Sequence, residues 1–435
     1  MEPLEVKIYA RKNVPRLDYI AGIIMGDILG LQWETVTDKR KLGKHPVINY
    51  SSENIAGSFR IEPDPLLFET GTKLREIELS QWNNLPVFFQ TPAGSDLPFD
   101  IFAASFFMIT RYEEYLEFQP DEHGRFPASS SLAFKYGFLG IPVVDLWARE
   151  FALALLKKFP TLAFRRNEYK ALLTVDIDVP FAYLGRNLFR SVGGLIRDFT
   201  QKKEHVSDRY HVVSKEKKDP YEVFGYIIEK IETSNTDARF FFSVGDHSQY
   251  DKNPSWRNDK YRELINSITA KYIAGLHPSY YAAEKYSLLE TEFTHLKKIV
   301  AKEVISSRFH YLRLFMPSSY RNLLDAGIIE DFSMGWPDEP GFRAGIARPY
   351  MFYDVLEDKL TMLKIVPFQV MDVTLHQYKN LNPAAAKEII VKLINETRKV
   401  GGVFISLWHN TSLLESPEWK GWRELFESML HDQQA

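Results

Sequence analysis

From Tyr169 onward, short apolar runs alternate with longer stretches of helical periodicity, and this alternation constrains the fold more than any other feature of the chain. The strand candidates are Ala171–Ile177, Arg239–Val244, Tyr272–Leu276, Val304–Phe309, Leu363–Val370 and Val403–Trp408. Helical segments intervene, among them Pro220–Thr233, Ala283–Lys302 and Pro383–Lys399. Strands interleaved with helices predict a largely parallel sheet, because each crossover returns the chain to the same end of the sheet before the next strand begins. Such a sheet either closes into a barrel or stays open and doubly wound. Several runs end in polar residues: Asp176 and Asp178, Asp246, His277, His310, Asp372 and His409. In a barrel, catalytic groups gather at the C-terminal ends of the strands, so these positions would converge on one rim.

The region before Phe164 reads differently. An apolar run at Leu4–Tyr9 leads through Pro15 to a helical segment at Leu17–Leu29, then to short strands near Leu31–Thr37 and Val47–Tyr50. Helical patterns follow at Phe99–Leu116 and Val143–Lys158. This mixture predicts a small α+β domain over residues 1–165, ahead of a strand–helix domain over 166–435. The charged stretch Arg111–Glu114 reads as the solvated face of a helix, and the turn Gly341–Gly345 as loop architecture or part of the rim.

Composition removes whole classes of function. With 54 basic and 57 acidic side chains in 435 residues, the formal charge is -3, so no global positive field draws the chain to nucleic acid. No cysteine is present, which excludes disulfides, thiolate nucleophiles and thiolate metal sites, so a metal must be held by His, Asp, Glu or water. No run of about 18 apolar residues predicts a membrane span. The charged start, with Glu2, Glu5, Lys7, Arg11 and Lys12, reads as that of a cytoplasmic protein.

Chemistry concentrates in three short motifs. In TVDID, Thr174–Asp178, two carboxylates two residues apart on a strand point to one side. Such a pair can divide labour between metal ligand and base, or simply mark a solvated strand exit. In GLHPSYY, Gly275–Tyr281, His277 follows an apolar strand, and in SLWHN, Ser406–Asn410, His409 does the same. Each histidine alone is as readily structural as functional.

Taken in order, these motifs resemble the polysaccharide deacetylase family, the NodB-type carbohydrate esterases. TVDID resembles the family's first motif, ARFFFSVGD at Ala238–Asp246 its second strand, and GLHPSYY its His-x-x-x-His metal motif, with His277 as the first histidine. SRFHYLR, Ser307–Arg313, stands where the Arg-containing third motif belongs, and LLDAGIIEDFSM, Leu323–Met334, resembles the segment that follows. IVPFQVMD at Ile365–Asp372 and the final SLWH complete the series. The resemblance spans roughly Tyr169–Leu430 and implies a distorted (β/α) barrel. The region ahead of it more weakly resembles an accessory domain preceding such deacetylases in bacterial proteins.

The resemblance implies a metal-dependent hydrolase that removes N-acetyl or O-acetyl groups from a glycan or amino sugar. It implies Asp176 as base, Asp178 and His277 as ligands of a divalent metal (zinc, with cobalt or nickel as substitutes), Arg308 as the third-motif arginine and His409 as the acid that protonates the leaving amine. Where the family has its second histidine this chain has Tyr281, so either another group, with His310 the first candidate, supplies the third ligand, or the site binds metal weakly or not at all. Tyr281, Trp336 and Tyr350 are the candidates for substrate contact, the last two by stacking on sugar rings, against the alternative that such aromatics pack in the core. The loss of that histidine also admits a degenerate glycan-binding or scaffold protein, and the same rim could serve a metal-dependent phosphoester or amide hydrolase.

Overall fold

The computed structural model describes residues 5–181, 219 and 223–434. Two sequence-based expectations fall partly beyond these: Leu4 and residues 220–222 lie outside the described residues. In chain order the strands are β1 (Val6–Ala10), β2 (Trp33–Val36), β3 (Val47–Tyr50), β4 (Phe59–Arg60), β5 (Ser80–Trp82), β6 (Leu85–Val87) and β7 (Lys170–Ile177). They continue with β8 (Ala238–Phe242), β9 (Ile273–Leu276), β10 (Ser306–Ser307), β11 (Glu330–Asp331), β12 (Tyr350–Asp354), β13 (Lys359–Ile365), β14 (Val370–Met371) and β15 (Val403–His409).

The chain divides into two compact units. The first comprises Met1–Lys170 together with Gly341–Pro367 and Asn395–Phe404. Its sheet has the order β2-β1-β3-β4, parallel throughout, and β1 is buried along its whole length. Helix Pro15–Ala21 begins on a proline, whose missing N–H costs nothing in a first turn, and runs on into a wider helical turn at Gly22–Ile28. Helix Ile101–Ile109 is apolar all round and wholly buried, as a helix with no polar face must be. It starts at Asp100, whose Oδ1 accepts from the Phe102 and Ala103 amides at 3.0 and 3.1 Å. The antiparallel hairpin β12–β13 belongs to this unit; Tyr353 of the hairpin packs its ring 4.7 Å from that of Tyr19.

Two expectations for this unit fail. The helix near Phe99–Leu116 stops at Ile109, where Arg111 turns left-handed at φ 54°. The Arg111–Glu114 run is not a solvated face either: Arg111 is 1% exposed and Glu114 5%. Both bind Arg343, a partner far along the chain. Its Nε and a terminal nitrogen donate to Glu114 at 2.9 and 2.7 Å, and its carbonyl accepts from Arg111 at 2.7 Å.

The second unit comprises Ala171–Pro340, Phe368–Ile394 and Ile405–Ala435. Its strands lie in the order β11-β10-β9-β8-β7-β15-β14. The pairs β7–β8, β8–β9, β9–β10, β10–β11 and β14–β15 are parallel, so the fold is mixed α/β with parallel pairing. The expected closed barrel is absent: among the described residues β14 ends the order and pairs only with β15, through Val370–Ser406 and Met371–Leu407. Strands of two residues at β10, β11 and β14 offer too few ladder positions to carry the tilt and stagger that closure requires. The expected strand Leu363–Val370 is divided as well. β13 ends at Ile365 and β14 begins at Val370, with Pro367 between them supplying no N–H for a ladder.

Candidate metal centre

β7 explains how the carboxylates reach one face. Leu173, Val175 and Ile177 alternate with Thr174, Asp176 and Asp178, so the first set is core and the second is a polar row. The sheet pays for that row with specific partners. Thr174 Oγ1 donates to the Ser406 carbonyl at 2.7 Å and accepts from Arg308 at 2.8 Å. Arg308, fully buried, also donates from Nε to the Phe332 carbonyl at 2.9 Å and from a terminal nitrogen to Asp176 Oδ1 at 2.8 Å. Its guanidinium lies 4.6 Å from the Phe241 ring centre and 5.4 Å from that of Phe368. A planar, weakly hydrated cation tolerates such aromatic walls better than an ammonium would.

Gly275 in β9 makes this packing possible. A Cβ there would sit 2.4 Å from two Phe241 ring carbons, so only glycine lets that ring lie flat beneath the arginine. Two residues on, the chain leaves β9 and presents His277, which is 2% exposed. Its Nδ1 lies 2.6 Å from the Arg308 carbonyl oxygen. A carbonyl only accepts, so Nδ1 carries the proton and Nε2 keeps its lone pair in the neutral ring.

That Nε2 faces Asp178 Oδ1 at 3.0 Å, yet among the described residues neither atom finds a hydrogen-bond partner. Buried polar atoms without partners are rare, and a ligand is one of the reasons they persist. His310, at the exit of β10, completes the group: its Nε2 is 3.5 Å from Asp178 Oδ2. One donor atom from each of Asp178, His277 and His310 can be chosen such that all lie within 4.8 Å of one another. Donors bound at about 2 Å to one ion stand no more than about 4 Å apart, so small side-chain adjustments would bring the three onto it. One carboxylate and two imidazoles suit a borderline divalent ion such as zinc, and these residues could hold a metal ion.

The charge state follows from the same contacts. Burial works against the Asp178 charge, but the His310 and His277 rings hold its pKa well below the usual carboxylate range. Burial likewise works against a charged His310, and Asp178 and Asp251 overcome it, raising the ring to about 10. His409 behaves similarly: Asp372 outweighs burial and raises it to about 9. Its Nδ1 is 2.8 Å from Asp372 Oδ1, its backbone N–H donates to Asp372 Oδ2 at 2.7 Å, and its Nε2 is 3.7 Å from Asp178 Oδ2.

The structure therefore brings Asp176, Asp178, His277, Arg308, His310 and His409 together. Three other sequence-based candidates stand elsewhere. Tyr281 is 38% exposed on the turn after His277, with its hydroxyl 3.5 Å from Gln249, and is not one of the three donors. Trp336 is 1% exposed and Tyr350 5%, so both are core side chains with no open ring face for a sugar, and Tyr350 lies in the first unit. Sequence reasoning missed the site role of two carboxylates. Asp372, at the end of β14, carried a strand-end signal; Asp251, in a loop, carried none.

Residues 6–160 match the model of a family of unknown function (DUF7033). No curated protein matches the chain. Among solved structures, the chain is similar to a Mycobacterium smegmatis protein assigned as a polysaccharide deacetylase, at 14% identity and TM-score 0.39, over 61% of this chain and 84% of that one. It is also similar to 4-alpha-glucanotransferase from Thermococcus litoralis, at 12% identity and TM-score 0.36, over 61% of this chain and 37% of that one. A third, 7,8-dihydropteroate synthase from Vibrio fischeri, stands at 9% identity and TM-score 0.29, over 63% and 94%.

Proposed function

We propose that this chain is a metal-dependent hydrolase that removes N-acetyl or O-acetyl groups from a glycan or amino sugar. The observation that carries the reading is the donor cluster Asp178, His277 and His310, with the pairs Arg308–Asp176 and His409–Asp372 beside it. A divalent ion held there, zinc by preference, would supply Lewis-acid polarisation of an acyl carbonyl and a lowered pKa for water.

The remaining work falls to the chain's own groups. Arg308 occupies Asp176 Oδ1, which fixes the carboxylate plane and leaves Oδ2 facing the cluster, 3.8 Å from His277 Nε2. A carboxylate so placed can take the proton from an attacking water. His409, kept protonated at neutral pH by Asp372, stands across Asp178 with its Nε2 toward the cluster. It can give its proton to the departing amine or alkoxide. Tyr281, exposed beside the cluster's own loop, is the candidate for substrate contact.

Acetate release from N-acetylated chito-oligosaccharides, measured with and without added zinc, tests the reading. Wild-type protein is expected to release acetate only with metal. Asp176→Asn is expected to bind zinc and release none, and Asp178→Ala to do neither. Zinc binding without acetate release from N- or O-acetylated sugars would favour the glycan-binding alternative.

A further inference from the structure

We propose that Asp251 is a positioning residue that makes His310 a metal ligand, compensating for the histidine that Tyr281 displaces. The inference rests on the metal-centre reading above. Asp251 is 2% exposed, and its Oδ1 takes two bonds at once: His310 Nδ1 at 2.8 Å and the Tyr280 backbone N–H at 3.0 Å. Its Oδ2 accepts from Ser248 Oγ, whose hydroxyl in turn accepts from the Tyr250 and Asp251 amides of the same loop. The carboxylate is thus held on all sides, and one of its holds is on the very turn that carries Tyr281.

Two consequences follow. A carboxylate only accepts, so the proton of His310 sits on Nδ1 and the neutral ring offers Nε2 as its one lone pair. The ring's orientation is fixed as well, with Nε2 directed at Asp178 Oδ2, 3.5 Å away. His277 receives the same service from the Arg308 carbonyl. The two imidazoles are therefore oriented by different means, and only His310 depends on a side chain that can be exchanged without altering the backbone.

Zinc affinity of the metal-free full chain, measured by competition with a chromophoric chelator, tests this on four proteins: wild type, Asp251→Asn, His310→Ala and the double variant. Asparagine can still accept from Tyr280, so the fold is kept while the anionic partner is lost. Asp251→Asn is expected to weaken zinc about 10- to 100-fold, the usual cost of losing a ligand's carboxylate partner. Because Asp251 acts through His310, the double variant is expected to bind no more weakly than His310→Ala alone. Unchanged affinity in Asp251→Asn, or a full further loss in the double variant, would overturn the inference while leaving the metal centre intact. Unchanged affinity in His310→Ala would instead overturn the metal reading on which it rests. Melting of the metal-free proteins separates a merely structural role, which would lower melting temperature in Asp251→Asn without moving zinc affinity.

Discussion

In the first unit, Glu114 meets Arg111 and Arg343 with both carboxylate oxygens occupied; in the second, Asp178 faces the imidazoles of His277, His310 and His409, and among the described residues its Oδ1 finds no hydrogen bond. Burial works against the charge of both carboxylates, and for both the neighbouring groups win, the guanidiniums of Arg343 and Arg111 for Glu114 and the imidazoles of His310 and His277 for Asp178, holding the pKa below the ordinary value. What separates them is saturation. The guanidinium forks around Glu114 have five fixed donors each and cannot lose their charge, so the cluster is closed. Asp178, its side chain 20% exposed against 2% for Glu114, faces imidazoles, which unlike a guanidinium can offer a lone pair, so this cluster leaves room for a cation. Buried charge alone does not mark a site; buried charge with unmatched lone pairs does.

Breaking the closed cluster should cost most. Arg343→Met leaves Glu114 with a single guanidinium in a buried setting, and is expected to destabilise the first unit by about 3–5 kcal/mol in chemical denaturation. Next comes Asp100, which burial pushes up to about 7 although Tyr50 and three backbone amides bond to it. Its folded pKa lies above the unfolded value near 4, so the folded state binds more protons between them. Stability from this group is therefore full below about pH 4 and falls as pH rises to about 7, by on the order of 4 kcal/mol in all. Asp100→Asn should flatten that part of the stability–pH curve; an unchanged slope would remove Asp100 from the account.

Smaller effects should come from the second unit. Gly275→Ala drives a methyl group into the Phe241 ring beneath Arg308, with an expected loss of about 1–3 kcal/mol. Asp178→Ala in the metal-free protein is expected to cost only about 1 kcal/mol, because the His310 ring, unlike a guanidinium, can become neutral when this counter-charge goes. A loss as large as that of Arg343→Met would erase the contrast between the clusters.

How much of this was legible in the sequence differs along the same lines. β7, β8, β9 and β15 were plain because parallel strands buried on both faces carry near-continuous apolar runs. The polar ends of β7, β9 and β15 pointed to Asp176, Asp178, His277 and His409, and the run around β10 pointed to His310, and these do converge. Closure was not legible: alternation fits an open sheet as well as a barrel, and what decides is how long β10, β11 and β14 run. Nor was the hairpin β12–β13, whose outward positions include Leu360 and Met362, more than half exposed, which blurs the alternation. The Arg111–Glu114 run looked solvated because Arg343, which buries it, lies 229 residues from Glu114. Asp251 sits in a loop between strands, where sequence gives no periodicity to read.

The central claim is that Asp178, His277 and His310 form one metal centre, and zinc titration of metal-free protein by calorimetry tests it most directly. The account predicts one equivalent of zinc per chain for wild type, with that binding lost in Asp178→Ala and in His277→Ala while both variants stay folded. Absence of zinc binding by wild type, or one equivalent retained in both variants, would contradict it.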